Sequence, residues 1–234
     1  MSTTSSLKST TESNGTTKST ATSSGRNETV ETSTAALSTT SATVSSVNCI
    51  FVGDLRNFAV SHFEYRKERE FIGNISKKVF EANPNVSAGL WVYGFTDFDR
   101  NPANTTIERM RDNFESFLED LNQHMDIVRH LHKRALDSIT AAHAINDADY
   151  KGKANCITFF AGVRNAEDMG KLNPKKLGEP KRVVLVSLRG VNLTTKVEQS
   201  GEAISVSRSY DTDDVSKVVD SILSPFRSNN NDFE

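Results

Sequence analysis

The sequence predicts a three-layer, Rossmann-like α/β fold, with a mainly parallel central sheet and helices on both of its faces. Two observations support this prediction. Short, continuous apolar segments are typical of strands buried on both faces of a parallel sheet. They alternate with longer segments in which apolar residues recur every three or four positions, as in amphipathic helices. The predicted order is β-α-β-α-α-β-(α)-β-β-α.

The first 46 residues differ in composition from the rest of the chain. More than half of them are Ser or Thr, and none is aromatic. Such a segment cannot bury enough apolar surface to offset its ordering entropy, so residues 1–46 are predicted to be disordered. A glycosylated stalk and a plain linker are both open interpretations. One domain is predicted over residues 47–228, followed by a polar tail at 229–234.

The first predicted strand begins at Val47 and ends in Gly53-Asp54. A carboxylate just past a buried parallel strand lies at the carboxyl edge of the sheet, where open α/β folds place their sites. Asp54 is therefore the first candidate site residue. A helix is predicted over 59–82, because its apolar residues recur at helical spacing and Pro84 follows it.

The remaining elements follow from the same two patterns. Further strands are predicted at 90–95, 155–162, 181–187 and 203–207. Residues 103–151 contain no Gly or Pro and carry apolar residues at helical spacing, which predicts one long helix or, preferably, two packed helices with a break near 124–126. A short polar helix is predicted at 166–172. The last helix, 212–226, has an acidic first turn that suits the helix dipole.

Composition and motifs argue against several functional classes. The formal net charge is −2 and the pI is about 6.2, so bulk binding to nucleic acid is not expected. No apolar run approaches the roughly 20 residues of a membrane span, and no apolar signal-peptide segment begins the sequence. Glycine-rich phosphate loops and the nucleophile elbow are absent, so no cofactor is expected.

Residues 47–228 resemble the von Willebrand factor type A domain. The resemblance rests on the strand that ends in Asp54, the strand that ends in Phe95-Thr96-Asp97, the Ala-rich segment 136–145, and the order of the later strands and last helix. The Asn-Cys-Ile sequence that begins at Asn48 is similar to divergent nematode members. The resemblance implies a non-catalytic module for protein–protein binding or cell adhesion in an extracellular setting.

The family's adhesion site, in contrast, is degenerate in this sequence. Members with an intact site hold Mg²⁺ or Mn²⁺ through Asp-x-Ser-x-Ser, a Thr in a Gly-rich loop and an Asp-Gly pair. Here Asp54 matches the first Asp, but Arg56 and Phe58 replace the two Ser residues. Ala161-Gly162 replaces Asp-Gly, and 103–151 contain no Gly-Thr loop. The resemblance therefore implies no metal at this edge.

The same edge is nevertheless predicted to bind an unidentified protein ligand. Arg56 would replace the cation as the group that attracts a carboxylate. The candidate ligand-binding residues are Asp54, Arg56, Asn57 and Asp97. The plainer alternative is that Asp54 and Arg56 pair with each other or with facing loops and only stabilise the fold.

Two other functions remain open. One is an intracellular scaffold that uses the predicted helical pair at 107–146 as its contact surface, because the sequence lacks a signal peptide. The other is a Mg²⁺-dependent phosphotransfer enzyme with a cluster of Asp54, Asp97 and Asp99.

The two cysteines and the Asn-x-Ser/Thr triplets bear on the compartment. Cys49 and Cys156 begin strands that are neighbours in this family, so a cross-strand disulfide and two buried free thiols are the alternatives. Four triplets within the domain are N-glycosylation acceptors only if the chain is secreted; they begin at Asn74, Asn85, Asn104 and Asn192.

Overall fold

The central sheet has five strands, and every neighbouring pair is parallel. The computed structural model describes residues 45–58, 61–125 and 135–227. The strands are β1 (Val47–Leu55), β2 (Val86–Gly94), β3 (Cys156–Ala161), β4 (Arg182–Ser187) and β5 (Gly201–Ser205). Their spatial order is β2-β1-β3-β4-β5.

Helices cover both faces of this sheet. They are α1 (His62–Ala82), α2 (Pro102–Thr106), α3 (Phe114–His124), α4 (Ser138–Asp147) and α5 (Thr212–Leu223). Because side chains alternate along a strand, Phe51 packs into a cluster with residues of α1, α3 and α5, whereas Val52 packs into a second cluster with residues of α4. The predicted three-layer α/β fold is confirmed.

Local capping explains where three helices begin. Ser61, Asp137 and Asp211 each accept a hydrogen bond from a backbone N–H group in the first turn of α1, α4 and α5. These residues satisfy donors that have no partner within the helix. At its other end, α1 stops at Ala82, before Asn83 and Pro84. Among the described residues, no helix is both long and apolar enough to cross a membrane.

The prediction of two packed helices within 103–151 is wrong. Helical structure stops before Met110, and Arg111 forms an antiparallel bridge with Ala88 of β2, in which each N–H donates to the other residue's carbonyl at 2.8 Å. The helices α3 and α4 contribute to the clusters on opposite faces of the sheet. The described helices of 107–146, α3 and α4, therefore do not pack together as the helical pair predicted for a scaffold surface. The predicted break coincides with the end of α3 at His124.

Several other predicted boundaries shift. The strand predicted at 90–95 begins at Val86, and the one predicted at 203–207 begins at Gly201. The helix predicted at 166–172 is reduced to a 3₁₀ turn, Ala166–Asp168. Of the segment 1–46, predicted to be disordered, all but the last two residues lie outside the described part, as does the predicted tail at 229–234.

Candidate functional site

The strand order places the crevice of this open sheet at the carboxyl ends of β1 and β3. The strand order reverses here, because β2 lies on one side of β1 and β3 lies on the other. The β1–β3 ladder ends at the pair Val52–Phe159, whereas β3 stays paired with β4 as far as Ala161. The crevice formed where the strand order of an open α/β sheet reverses is the usual place for a ligand.

Asp54 fills this crevice with a fully buried side chain. Its Oδ1 accepts hydrogen bonds from the backbone N–H groups of Arg56 at 2.7 Å and Asn57 at 3.0 Å. Its Oδ2 accepts from the backbone N–H of Gly162 at 2.7 Å and from Nδ2 of Asn57 at 2.7 Å. These donors compensate the carboxylate for its lost hydration, since hydrogen bonds to an ionised acceptor are the strong ones.

The side-chain amide of Asn57 lies at the centre of a small cluster of oxygen atoms. Its Nδ2 is 2.7 Å from Oδ2 of Asp54, 2.9 Å from Oγ of Ser138 and 3.4 Å from the hydroxyl oxygen of Tyr93. Ser138 is the first residue of α4, and the Tyr93 hydroxyl donates to the carbonyl of Phe160 at 3.2 Å. Carboxylate and hydroxyl oxygens are typical ligands of hard cations. Here an amide nitrogen occupies their centre.

A second buried carboxyl group lies behind Asp54. Glu68 of α1 is fully buried, and its Oε1 accepts a hydrogen bond from the backbone N–H of Asp54 at 2.7 Å. Its Oε2 has no hydrogen-bond partner in the described part of the chain. Burial raises the pKa of Glu68 well above its ordinary value, and the charge of Asp54 raises it further. Both effects favour the protonated form of Glu68.

Two tyrosines complete the wall of the crevice. Burial raises the pKa of Tyr93 well above its ordinary value, and the nearby charge of Asp54 adds to this shift. The Tyr65 hydroxyl accepts a hydrogen bond from the backbone N–H of Phe58 at 3.2 Å, and burial also raises its pKa. Both phenols stay neutral and act as hydrogen-bonding groups.

The structure brings together only some of the predicted ligand-binding residues. Asp54 and Asn57 lie at the centre of the site. The predicted side-chain pair of Asp54 and Arg56 is not formed, because only the backbone of Arg56 reaches Asp54 and its guanidinium lies 5.7 Å from the centroid of the Phe95 ring. Asp97 is exposed and lines a separate cavity beside α2 and the end of α3.

The carboxylate cluster of the phosphotransfer hypothesis is not assembled. Asp99 lines the same separate cavity as Asp97, whereas Asp54 is buried in the crevice. Within residues 45–58, 61–125 and 135–227, no group of three or more acidic, His or Cys side chains is arranged to hold a metal ion.

The cysteines and the glycosylation triplets lie away from the crevice. Cys49 and Cys156 are directly paired in the β1–β3 register, with Cα atoms 4.2 Å apart and sulfur atoms at bonding distance. The four asparagines that begin the triplets are all exposed; they are Asn74, Asn85, Asn104 and Asn192.

Sequence reasoning missed three residues of the site. Ser138 follows Asp137, and an Asp-Ser pair before an Ala-rich helix is a recognisable helix start. Glu68 falls on the apolar stripe of α1, three residues after Tyr65 and four before Ile72, where a carboxyl group is conspicuous. Tyr93 is brought beside Asp54 by the register of β1 and β2, which the sequence alone does not specify.

Comparison with known proteins gives weak likenesses. No protein-family model matches the sequence, and the comparison with curated proteins gives no match. The VWA domain of SpRpn10 aligns with 9% identity over 69% of this chain and 88% of that chain, with a TM-score of 0.40. An aerotolerance-related membrane protein from Bacteroides fragilis NCTC 9343, with multiple mutations to serines, aligns with 12% identity over 76% of this chain and 99% of that chain, with a TM-score of 0.47.

The role of the Asn57 amide can be tested by substitution. We expect Asn57→Ala to lower the free energy of unfolding by about 1–3 kcal/mol, because it removes a hydrogen-bond donor from the buried carboxylate of Asp54. Asn57→Asp should lower it further, since a second carboxylate would face Asp54. Urea unfolding followed by circular dichroism measures both. As a control, Asn74→Ala at an exposed position should change the free energy of unfolding by less than about 0.5 kcal/mol. An equal loss of stability in Asn57→Ala and Asn74→Ala would contradict the role of the Asn57 amide.

The raised pKa of Glu68 predicts a pH dependence of stability. Above about pH 4.3, the ordinary Glu pKa, the unfolded chain releases this proton while the folded chain keeps it. The free energy of unfolding therefore falls as pH rises, by up to about 1.4 kcal/mol per pH unit, until the folded-state pKa is reached. Glu68→Gln removes this titrating group and its pH-dependent contribution, so the variant should gain stability relative to the wild type as pH rises.

Urea unfolding over a pH series measures this difference. Glu70→Gln is the matched control, because Glu70 lies on the same helix with an exposed side chain. Parallel pH profiles for the wild type and Glu68→Gln would show that Glu68 is ionised in the folded protein.

Proposed function

We propose that this chain is a non-catalytic protein-interaction module of the von Willebrand factor A type, which binds its partner without a metal ion. The observation that carries this proposal is the position of Asn57 Nδ2 within 2.7–3.4 Å of three oxygen atoms. The amide supplies hydrogen bonds where a domain with an intact adhesion site would hold a cation. The edge is thus complete without an ion.

The charges around the crevice also disfavour a cation. Of the three described oxygens that surround Asn57 Nδ2, one belongs to a carboxylate, that of Asp54, whereas protein sites for hard divalent cations commonly use several carboxylates. The guanidinium Nη2 of Arg189 donates to the backbone carbonyl of Asn57 at 3.0 Å, so a fixed positive charge lies next to the same residue. A divalent ion would have to displace the amide and approach that guanidinium.

The burial of the titratable groups supports a non-catalytic role. Asp54, Glu68 and Tyr93 are fully buried, and each is engaged in hydrogen bonds within the protein. A general acid or base must come within hydrogen-bond reach of a substrate proton. These three groups face each other and not an open substrate cavity.

We extend the proposal to the compartment. The resemblance to the type A family favours an extracellular adhesion role, in which Cys49 and Cys156 form a disulfide and the exposed triplet asparagines accept glycans. Four observations support this: two cysteines paired in register, their sulfur atoms at bonding distance, their complete burial, and the exposure of the four asparagines. Disulfides persist in oxidising compartments.

A site without a metal ion predicts that no binding of Mg²⁺ or Mn²⁺ will be detected. We expect calorimetric titration of the protein with MgCl₂ or MnCl₂ to give only heats of dilution, and chelation by EDTA to leave the thermal midpoint unchanged, because an ion that binds the folded state would raise it. Micromolar binding that is lost in Asp54→Ala and kept in the exposed control Asp97→Ala would overturn the proposal.

The compartment is tested by mass spectrometry of protein expressed through a secretory pathway. Under denaturing conditions, a thiol alkylating agent should label neither Cys49 nor Cys156 until a reductant is added. The same digest should show glycan mass on at least one of the peptides that contain the triplet asparagines. Alkylation of both cysteines without reductant, with unmodified asparagines, would contradict the extracellular assignment.

A further inference from the structure

The carboxyl edge of the sheet is lined with arginine. Four of the five strands are followed within three residues by an arginine: Arg56 after β1, Arg164 after β3, Arg189 after β4 and Arg208 after β5. Because all five strands are parallel, these arginines emerge at the same edge.

Within the described residues, none of these four arginines forms an ion pair, although Arg56 lies near enough to Asp137 to help lower the pKa of that carboxyl group. Elsewhere on the surface, Arg111 pairs with Asp120 at 2.7 Å and Arg227 pairs with Asp220 at 2.8 Å. The positive charge of the edge is therefore available to a partner.

Two of the four arginines line one small cavity. Arg189 and Arg208 share a cavity of about 110 Å³ with Phe58, Glu64 and Leu188. On this measure one water molecule needs about 10–15 Å³, so the space is large enough for a side-chain carboxylate. The cavity adjoins the crevice, because Phe58 directly follows Asn57 in the chain.

The guanidinium of Arg189 is held in place before any ligand binds. It lies 4.7 Å from the centroid of the Phe58 ring, and its Nη2 donates to the Asn57 carbonyl at 3.0 Å. Its Nε is buried and has no hydrogen-bond partner in the described part of the chain. A planar guanidinium fixed in this way loses little side-chain entropy on binding, and its fork of donors matches a carboxylate.

The loop that carries Arg208 is also positioned. The backbone carbonyl of Arg208 accepts a hydrogen bond from Lys67 Nζ at 2.7 Å, and Ser207 donates to Oδ2 of Asp214 through both its backbone N–H and its hydroxyl. Lys67 Nζ also lies 3.9 Å from Oε2 of Glu64, and this ion pair offsets the negative charge of Glu64 in the cavity. The surroundings of the cavity remain net positive.

We propose that this cavity binds the side-chain carboxylate of an Asp or Glu residue in an acidic peptide segment of the partner. The inference rests on the proposed interaction function and assigns its contact site. Arg189 and Arg208 would bind the anchoring carboxylate through charge-assisted hydrogen bonds, and Arg56 and Arg164 would attract neighbouring acidic residues of the same segment. The binding face is thus the arginine-lined edge beside the crevice, with Asp54 left buried.

The test uses the full chain and a fluorescein-labelled peptide of alternating Gly and Glu, with EDTA present throughout. Fluorescence anisotropy should show binding that weakens with salt, and a matched Gly-Gln peptide should not bind. Arg208→Gln should raise the Kd about tenfold, as expected for the loss of about 1.4 kcal/mol. Lys175→Gln removes the same charge from the exposed loop that enters β4, and it should change the Kd by less than about twofold.

Each other outcome contradicts the assignment. If Arg208→Gln and Lys175→Gln weaken peptide binding equally, the binding would depend on the overall charge of the protein and not on this cavity. Tighter binding of a phosphoserine peptide than of the Glu peptide would assign the cavity to phosphate. If the Glu peptide does not bind and the titration with metal ions shows only heats of dilution, the assignment of this cavity is wrong, but the metal-independent function is not contradicted. Binding that appears only when Mg²⁺ replaces EDTA would overturn the metal-independent function itself.

Discussion

The carboxyl edge of the sheet depends on a buried carboxylate, that of Asp54, which forms no ion pair with the described residues. Transfer of an ionised group out of water is costly unless hydrogen bonds replace its hydration shell. Asp54 obtains them from the turn after β1, from Gly162 at the end of β3 and from the Asn57 amide. The amide in turn donates to Ser138 at the start of α4. One carboxylate therefore links two strands, the turn after β1 and, through Asn57, a helix on one face of the sheet.

The strands were predictable because burial on both faces leaves a local signature, a continuous apolar run between polar segments. Asp54 was predictable for the same reason, since its position at the end of the first strand assigns it to the carboxyl edge. The prediction of a helical pair was wrong because the spacing of apolar residues does not reveal hydrogen bonds to a distant part of the chain. Arg111 lies within a helical pattern, yet its backbone groups bond to Ala88 at the sheet edge. Those two hydrogen bonds end the helix before Met110.

The site was only partly predictable because its members come from distant parts of the chain. Asn57 was a candidate ligand-binding residue, but its amide is used inside the protein. Tyr93 reaches the crevice through strand register, and its hydroxyl satisfies the Phe160 carbonyl at 3.2 Å, beyond the last β1–β3 pair. Burial and the charge of Asp54 both raise the pKa of Glu68, because two buried carboxylates cannot both carry charge at low cost.

An amide in place of an ion changes how this edge can recognise a ligand. A bound cation would offer a ligand carboxylate one open coordination position at the crevice itself. The Asn57 amide is neutral and its donors face inward, so the first positive charges that a ligand meets are the guanidinium groups around the crevice. Arg189 contacts both regions, through the Asn57 carbonyl and the adjoining cavity. Since guanidinium groups stay charged across the physiological pH range, recognition in the proposed mode depends on ionic strength and on the spacing of acidic residues, and not on metal supply.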